Sequence, residues 1–253
     1  MIDTVQRAKE ALWGRYHELN PNIFVDSKGY IESCERNRNL LEPEWMELIE
    51  GDYRGGGGKE LEQKFCAVHS SAALAANHFA RFKQEPSQLV ILGQSGFNCV
   101  VLEKKLPTGL RGIPPNLDVF FENRDCCIAV ESKLLETLSP KKPHFSTSHS
   151  KDRLPHCEPQ WLALIESASN APEGYLDTAQ LVKHYLGLVY HLKENKINKR
   201  PILLYLYWKP VNASEIEEYG LLVNIILLEM VNKSEVMLHK LGCVKICLLR
   251  IAS

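Results

Sequence analysis

Asp118 and the triplet Glu131-Ser132-Lys133, separated by twelve residues, lie in and beside two short apolar runs, Asn116-Leu117-Asp118-Val119-Phe120-Phe121 and Cys127-Ile128-Ala129-Val130. Two carboxylates and a lysine are the groups that metal-assisted phosphodiester hydrolysis needs. The carboxylates hold a hard divalent cation, and the ammonium orients water and offsets charge developing on phosphate. Taken alone, Glu-x-Lys is common, and the same residues would also serve as the exposed charged face of an ordinary hairpin. The setting argues for chemistry, because charges flanked by Val, Ile and Phe are costly near a core unless they have partners.

The elements that would position them follow from the pattern. Glu122-Asn123-Arg124-Asp125 has turn chemistry between two runs of strand-forming residues, which predicts an antiparallel hairpin. Side chains alternate along a strand, so Glu131 and Lys133 share a face, and Val130 and Ser132 point away. With an even loop, Asp118 lies opposite Ala129 or Glu131 and joins that face, leaving Val119, Phe121, Ile128 and Val130 for a core. A bulge in the turn would break this parity.

Around the hairpin, helical spacing is expected over Thr4 to His17 and Glu42 to Glu50, and in a long helix from Lys59 to Lys83 with a break near His69-Ser70. Asp52-Tyr53-Arg54-Gly55-Gly56-Gly57-Gly58 reads as a flexible loop. Gly58-Lys59 is not a phosphate loop: Tyr53 stands where the first glycine is required, and Glu60 where Ser or Thr is required. Strands are expected at Leu89 to Leu92 and Phe97 to Leu102. Asp177 caps a helix running to Asn195, and Ile202 to Trp208 reads as a buried central strand. Leu134 to Tyr175 carries five prolines and the cations Lys141, Lys142, Lys151 and Arg153, with one short helix from Pro159 to Ser167. It reads either as a solvated insertion or as a substrate-facing loop beside Lys133. A helix at Ser214 to Val231 and a strand at Gly242 to Ile251 complete the expected order.

These residues resemble the PD-(D/E)xK nuclease superfamily, the restriction-endonuclease-like fold, in which an Asp on one strand is followed by Glu-x-Lys on the next. The chain is also similar to a bacterial restriction-endonuclease-like group through Ser70-Ser71-Ala72-Ala73-Leu74-Ala75-Ala76-Asn77-His78-Phe79 and the Thr108-Gly109-Leu110 turn. Pro115 stands three residues before Asp118 instead of next to it, a departure from the motif name.

The resemblance implies an α/β fold with a central mixed β-sheet flanked by helices, here with an N-terminal helical extension. The chain is read as one nuclease domain. Residues 1–58 form a cap and Gly-rich loop, 59–210 the core with insertion 134–175, and 211–253 a last helix and strand. The implied activity is that of a magnesium-dependent deoxyribonuclease of restriction or defence type, with Mn²⁺ able to substitute. The competing class is an inactive nucleic-acid-binding or assembly module on the same fold. Asp118 and Glu131 would be metal ligands, with the Ser132 carbonyl assisting and Glu62 or Glu103 as further carboxylates. Lys133 would act on water and phosphate. Gln180 matches a site glutamine of related nucleases. The tyrosine expected four residues later is replaced by His184, with Tyr185 one further on. DNA is the implied partner, and a homodimer is left open.

Composition is compatible with this. The chain has 253 residues, 45% hydrophobic and 24% charged, with formal net charge -1. No global basic field marks nucleic-acid binding, so any such surface must be local. No apolar signal region opens the sequence and no stretch is long enough to span a bilayer, which makes a cytoplasmic location the expectation. The cysteines at 34, 66, 99, 126, 127, 157, 243 and 247 form no CxxC pair and read as free, mostly buried thiols. Zinc at Cys243, Cys247 and His156-Cys157 has little support from their spacing.

Overall fold

The computed structural model describes residues 4–56, 59–155, 157–209, 238–241 and 244–249. Six strands among them form one mixed sheet: β1 (Cys99–Lys105), β2 (Asn116–Glu122), β3 (Cys126–Lys133), β4 (Arg200–Trp208), β5 (Leu238–Leu241) and β6 (Val244–Leu249). The spatial order is β1-β2-β3-β4-β6-β5. Neighbours pair antiparallel except β3 and β4, which are parallel. A parallel pair requires a crossover, and here the chain between them contains α5 (Pro159–Ser169) and α6 (Thr178–Glu194). The expected helix at 214–231 lies outside the described residues.

Helices cover both faces of the sheet, and this is why every residue of β3 is buried. On one face, α2 (Trp45–Gly56) and α4 (Ser71–Phe79) bring Ile49, Tyr53, Ala75, Ala76 and Phe79 onto Val119, Phe121, Ile128, Val130, Leu204 and Leu206. On the other, α5 and α6 bring Trp161, Ile165, Leu181 and Leu188 onto Phe120, Cys127, Ala129, Leu203 and Tyr205. The alternation along β2, β3 and β4 thus sorts side chains between two cores. Against the second core α1 (Thr4–Leu19) packs Val5, Ala8 and Leu12.

Three local expectations are corrected. Asp52 to Gly56 is the last part of α2 and not a loop. Tyr53 is buried and donates its hydroxyl to the Ala72 carbonyl at 3.1 Å, while the Asp52 carboxylate accepts from the Leu102 amide at 2.8 Å and pairs with Lys83. These contacts outweigh the entropic penalty of helical glycine. The break expected near His69-Ser70 is present, but the segment from Lys59 to Lys83 is divided further, into α3 (Lys59–Glu62), a 3-10 turn at Lys64–Cys66, α4 and a 3-10 turn at Ala80–Lys83. Ser70 causes the restart: its hydroxyl accepts from the Ala73 amide at 3.1 Å as an N-cap. Leu89 to Leu92 forms a tight turn with one bridge, Ile91 to Gln94, because Leu92 and Gly93 both take positive φ. The strand predicted from Phe97 begins at Cys99.

The 134–175 segment is only partly solvated. Leu134, Leu135, Leu138, Leu154, Trp161 and Ile165 belong to the second core, and a backbone bridge between Lys141 and Gly174 closes the segment on itself. Among the described cysteines none is in a disulfide; Cys66, Cys126, Cys127 and Cys157 are buried, Cys99 is half-buried and Cys34 exposed. His156 and the side chains of Cys243 and Cys247 lie outside the described residues. No described helix is long and apolar enough to cross a membrane.

Gly187 lets α6 approach the sheet. A Cβ there would lie 2.8 Å from the Leu106 carbonyl oxygen and 3.1 Å from its Cβ. Although alanine is the better helix former, Gly187→Ala is expected to destabilise the fold by about 1–3 kcal/mol, the usual range for overpacking. Chemical denaturation would measure this, and a stabilised variant would show that α6 can shift freely.

Candidate active site

The hairpin register pairs Val119 with Val130 and Phe121 with Ile128, with 123–125 as the connecting residues. The ladder ends at Val119 and Val130, so Asp118 lies just beyond its last pair. Asp118, Glu131 and Lys133 all line a cavity of about 710 Å³. Glu131 is 1% exposed, Lys133 7% and Glu103 8%. The Lys133 ammonium contacts the Glu131 carboxylate and donates to Gln180 Oε1 at 3.0 Å. Gln180 is held by the start of α6, where the Asp177 carboxylate caps the helix by accepting from the Gln180 amide at 3.0 Å. Asp118 Oδ2 accepts from the Ser132 amide at 2.6 Å. Ser132 turns its hydroxyl away from the cavity to donate to the Ser71 carbonyl at 3.1 Å.

Of the residues singled out from sequence, Asp118, Glu131, Lys133, Gln180 and Glu103 line this one cavity. Glu62 does not. It is exposed, and the same short helix turns Glu60 inward instead. Tyr185 also faces elsewhere, stacked on Trp161 at 3.7 Å between centroids. Its predecessor His184, 1% exposed, places Nε2 2.6 Å from Glu131 Oε2. Sequence reasoning passed over His184, Glu60 and Glu136. The signal for His184 was present, since it follows Gln180 by one helical turn and shares its face. Nothing local marked Glu136, whose carboxylate accepts from Ser71 Oγ and the Leu134 amide, both at 2.8 Å.

Glu103 enters by an unusual route. It adopts φ +51 inside β1, a left-handed conformation rare for a non-glycine residue, and such outliers gather at functional sites. Gly56 makes room for it: a Cβ on that residue would lie 2.7 Å from the Glu103 Cβ. Asn116 Nδ2 donates to both the Gly56 carbonyl and Glu103 Oε2 at 2.9 Å. Gly56 thus serves close packing at the cavity wall.

Electrostatically, the site is crowded with carboxylates. Burial, then Glu131 and Glu103, push the Asp118 carboxyl well above its ordinary range against the opposing pull of Lys133 and the Ser132 amide. Burial and then Glu60 raise Glu103 to about 7, with Asn116 pulling the other way. Burial would also raise Glu131, but Lys133 and His184 together hold it down at about 2. Lys133 stays protonated: Glu131 and Asp118 outweigh the burial that disfavours its charge.

This donor set suits a hard divalent cation such as magnesium. Burial and neighbouring carboxylates disfavour the ionised forms of Asp118 and Glu103, forms that a bound cation would favour, and both Glu131 oxygens are buried without an aligned hydrogen bond. Among the described residues no three His, Cys, Asp or Glu side chains converge as a finished cage, because Glu131 is drawn towards Lys133 and His184.

A stability prediction follows from Glu103. An acid whose folded pKa lies near 7 instead of 4.5 holds its proton more tightly when folded. Its contribution is complete below pH 4.5 and lost as pH rises through 7. Glu103→Gln removes that loss and is expected to stabilise the metal-free protein at pH 8 by on the order of 2–3 kcal/mol relative to pH 4.5. Urea unfolding in EDTA at the two pH values measures it; equal pH dependence in both proteins would contradict the assignment.

Comparison with known proteins adds one finding. A family model described as Restriction Endonuclease associating with ARP matches residues 10–236, a span that contains every cavity residue named above. No curated protein and no solved structure matches the chain.

Proposed function

The chain belongs to this restriction-endonuclease family, and from that premise we propose that it is a metal-dependent DNA endonuclease hydrolysing phosphodiester bonds. The observation that carries the reading is the convergence of Asp118, Glu131, Glu103 and Lys133 on one cavity, where burial and neighbouring carboxylates disfavour the ionised forms of Asp118 and Glu103. Asp118 and Glu131 are the proposed magnesium ligands, with Glu103 as a third carboxylate. When bound, the ion would neutralise the phosphate and favour ionisation of water beside it.

The protein's own groups do the rest. Lys133, fixed by Glu131 and Gln180, presents a permanent positive charge to the phosphate oxygens as negative charge builds there. The Ser132 amide orients the Asp118 carboxylate, and His184 limits the positions open to Glu131. Gln180 is a positioning residue acting through Lys133.

The test is incubation of purified protein with supercoiled plasmid, linear duplex and single-stranded DNA in Mg²⁺, Mn²⁺ or EDTA. Cleavage in either metal, absent in EDTA and in Asp118→Asn, is expected. Metal-dependent binding without cleavage would replace this reading with that of an inactive binding module. Cleavage that survives the substitution would remove the site assignment.

A further inference from the structure

A second cavity, of about 300 Å³, opens beside the catalytic one and shares Lys64, Ser71, Glu136 and Lys141 with it. Its other wall comes from the N-terminal helix, through Val5 and Lys9, and His69 lies between. Helix α1 packs its Val5, Ala8 and Leu12 face on the second core, and Lys9 lies on that inward face, half-buried. An apolar residue would be the ordinary choice there. Among the described residues no carboxylate pairs with Lys9, whereas Lys64 has Glu60 at 3.2 Å and Lys141 has Asp177 at 3.3 Å. The one acid of the groove, Glu136, is already engaged by Ser71 and the Leu134 amide. His69 adds a buried Nδ1 with no hydrogen-bond partner. The groove thus has three lysines, an unused imidazole nitrogen and a carboxylate whose oxygens are occupied, within a chain whose overall charge is close to neutral.

Resting on the nuclease reading of the neighbouring cavity, we propose that this groove holds the phosphodiester next to the scissile one on the cleaved strand, with Lys9 as its principal cation. The N-terminal helix is then part of the substrate path. Lys9, unpaired among the described residues, places positive charge in a concave wall beside the acidic cavity. Its contact would be to phosphate and independent of base sequence.

The experiment uses the full chain carrying Asp118→Asn, so that binding is read without turnover. Anisotropy of a fluorescein-labelled duplex, and of the matching single strand, is followed between about 50 and 200 mM salt. Adding Lys9→Gln is expected to weaken binding and make the dependence of log K on log salt shallower by about one unit, the value of one phosphate contact. Lys9→Arg should restore the slope, and Lys193→Gln, an exposed lysine of α6 outside the groove, should leave it unchanged. An unaltered slope and affinity in Lys9→Gln, with the parent binding normally, overturns the groove and leaves the nuclease reading intact. A parent that binds neither DNA at any salt overturns the groove, and a wild type that neither binds nor cuts either DNA in Mg²⁺ overturns the nuclease reading as well.

Discussion

Asp118→Asn is expected to lower DNA cleavage by about three powers of ten or more and, at the same time, to raise the unfolding midpoint of the metal-free protein at pH 8. The two effects share one cause. Asp118 is buried, and burial first, then the charges of Glu131 and Glu103, disfavour its ionised form in the folded state. An acid with a raised folded pKa contributes stability only at pH values below its unfolded value, and loses it on ionisation. Asparagine keeps an oxygen that can accept from the Ser132 amide, and discards the charge. Activity falls because a metal ligand contributes several kcal/mol of transition-state stabilisation, each 1.36 kcal/mol being a factor of ten. Saturating Mg²⁺ should stabilise the parent and leave the variant little changed, since a ligand stabilises only the state that binds it. Thermal denaturation with and without Mg²⁺, beside a plasmid assay, measures all of this. A variant less stable than its parent in EDTA would show that Asp118 is compensated by the protein alone.

Lys133→Ala should be strongly destabilising. It strands Glu131, 1% exposed, with His184 as its remaining close side-chain partner, and breaking one side of a buried pair typically costs about 3–5 kcal/mol. Cleavage should be lost as well, so activity alone would be uninformative. Pairing the change with Glu131→Gln separates the effects: the double variant should recover at least half of the lost stability and none of the activity. A double-mutant cycle in urea gives the coupling energy directly. Coupling under about 0.5 kcal/mol, the range of additive sites, would mean that Glu131 is solvated in solution.

How much of this was readable in the residues differs from element to element. The hairpin was legible because strand alternation and a short polar connection, 123–125, are local properties, and they bring Asp118 and Glu131 into one cavity. The helix that delivers Gln180 was legible from its Asp177 cap and apolar spacing. The broken segment over Lys59 to Lys83 was half legible, since Ser70 is a strong cap, whereas the turn at Lys64–Cys66 depends on burying Phe65 and Cys66 in tertiary contacts. The helical state of Asp52 to Gly56 could not be read, because glycine propensity argues against it and only Tyr53 and Asp52, through partners some 19 and 50 positions away in sequence, reverse the balance.

By itself, then, the sequence determined the spacing of Asp118, Glu131 and Lys133, the hairpin that carries them and the helix that meets it, all consequences of periods of two and 3.6 residues. The tertiary structure alone decided which further groups line that cavity: Glu60 over Glu62, His184 over Tyr185, and Glu103 through a left-handed residue seated against Gly56. The reason is physical. Periodicity gives the direction of a side chain relative to its own element, but which carboxylate is buried, and which cation stands beside it, depends on how separate elements pack.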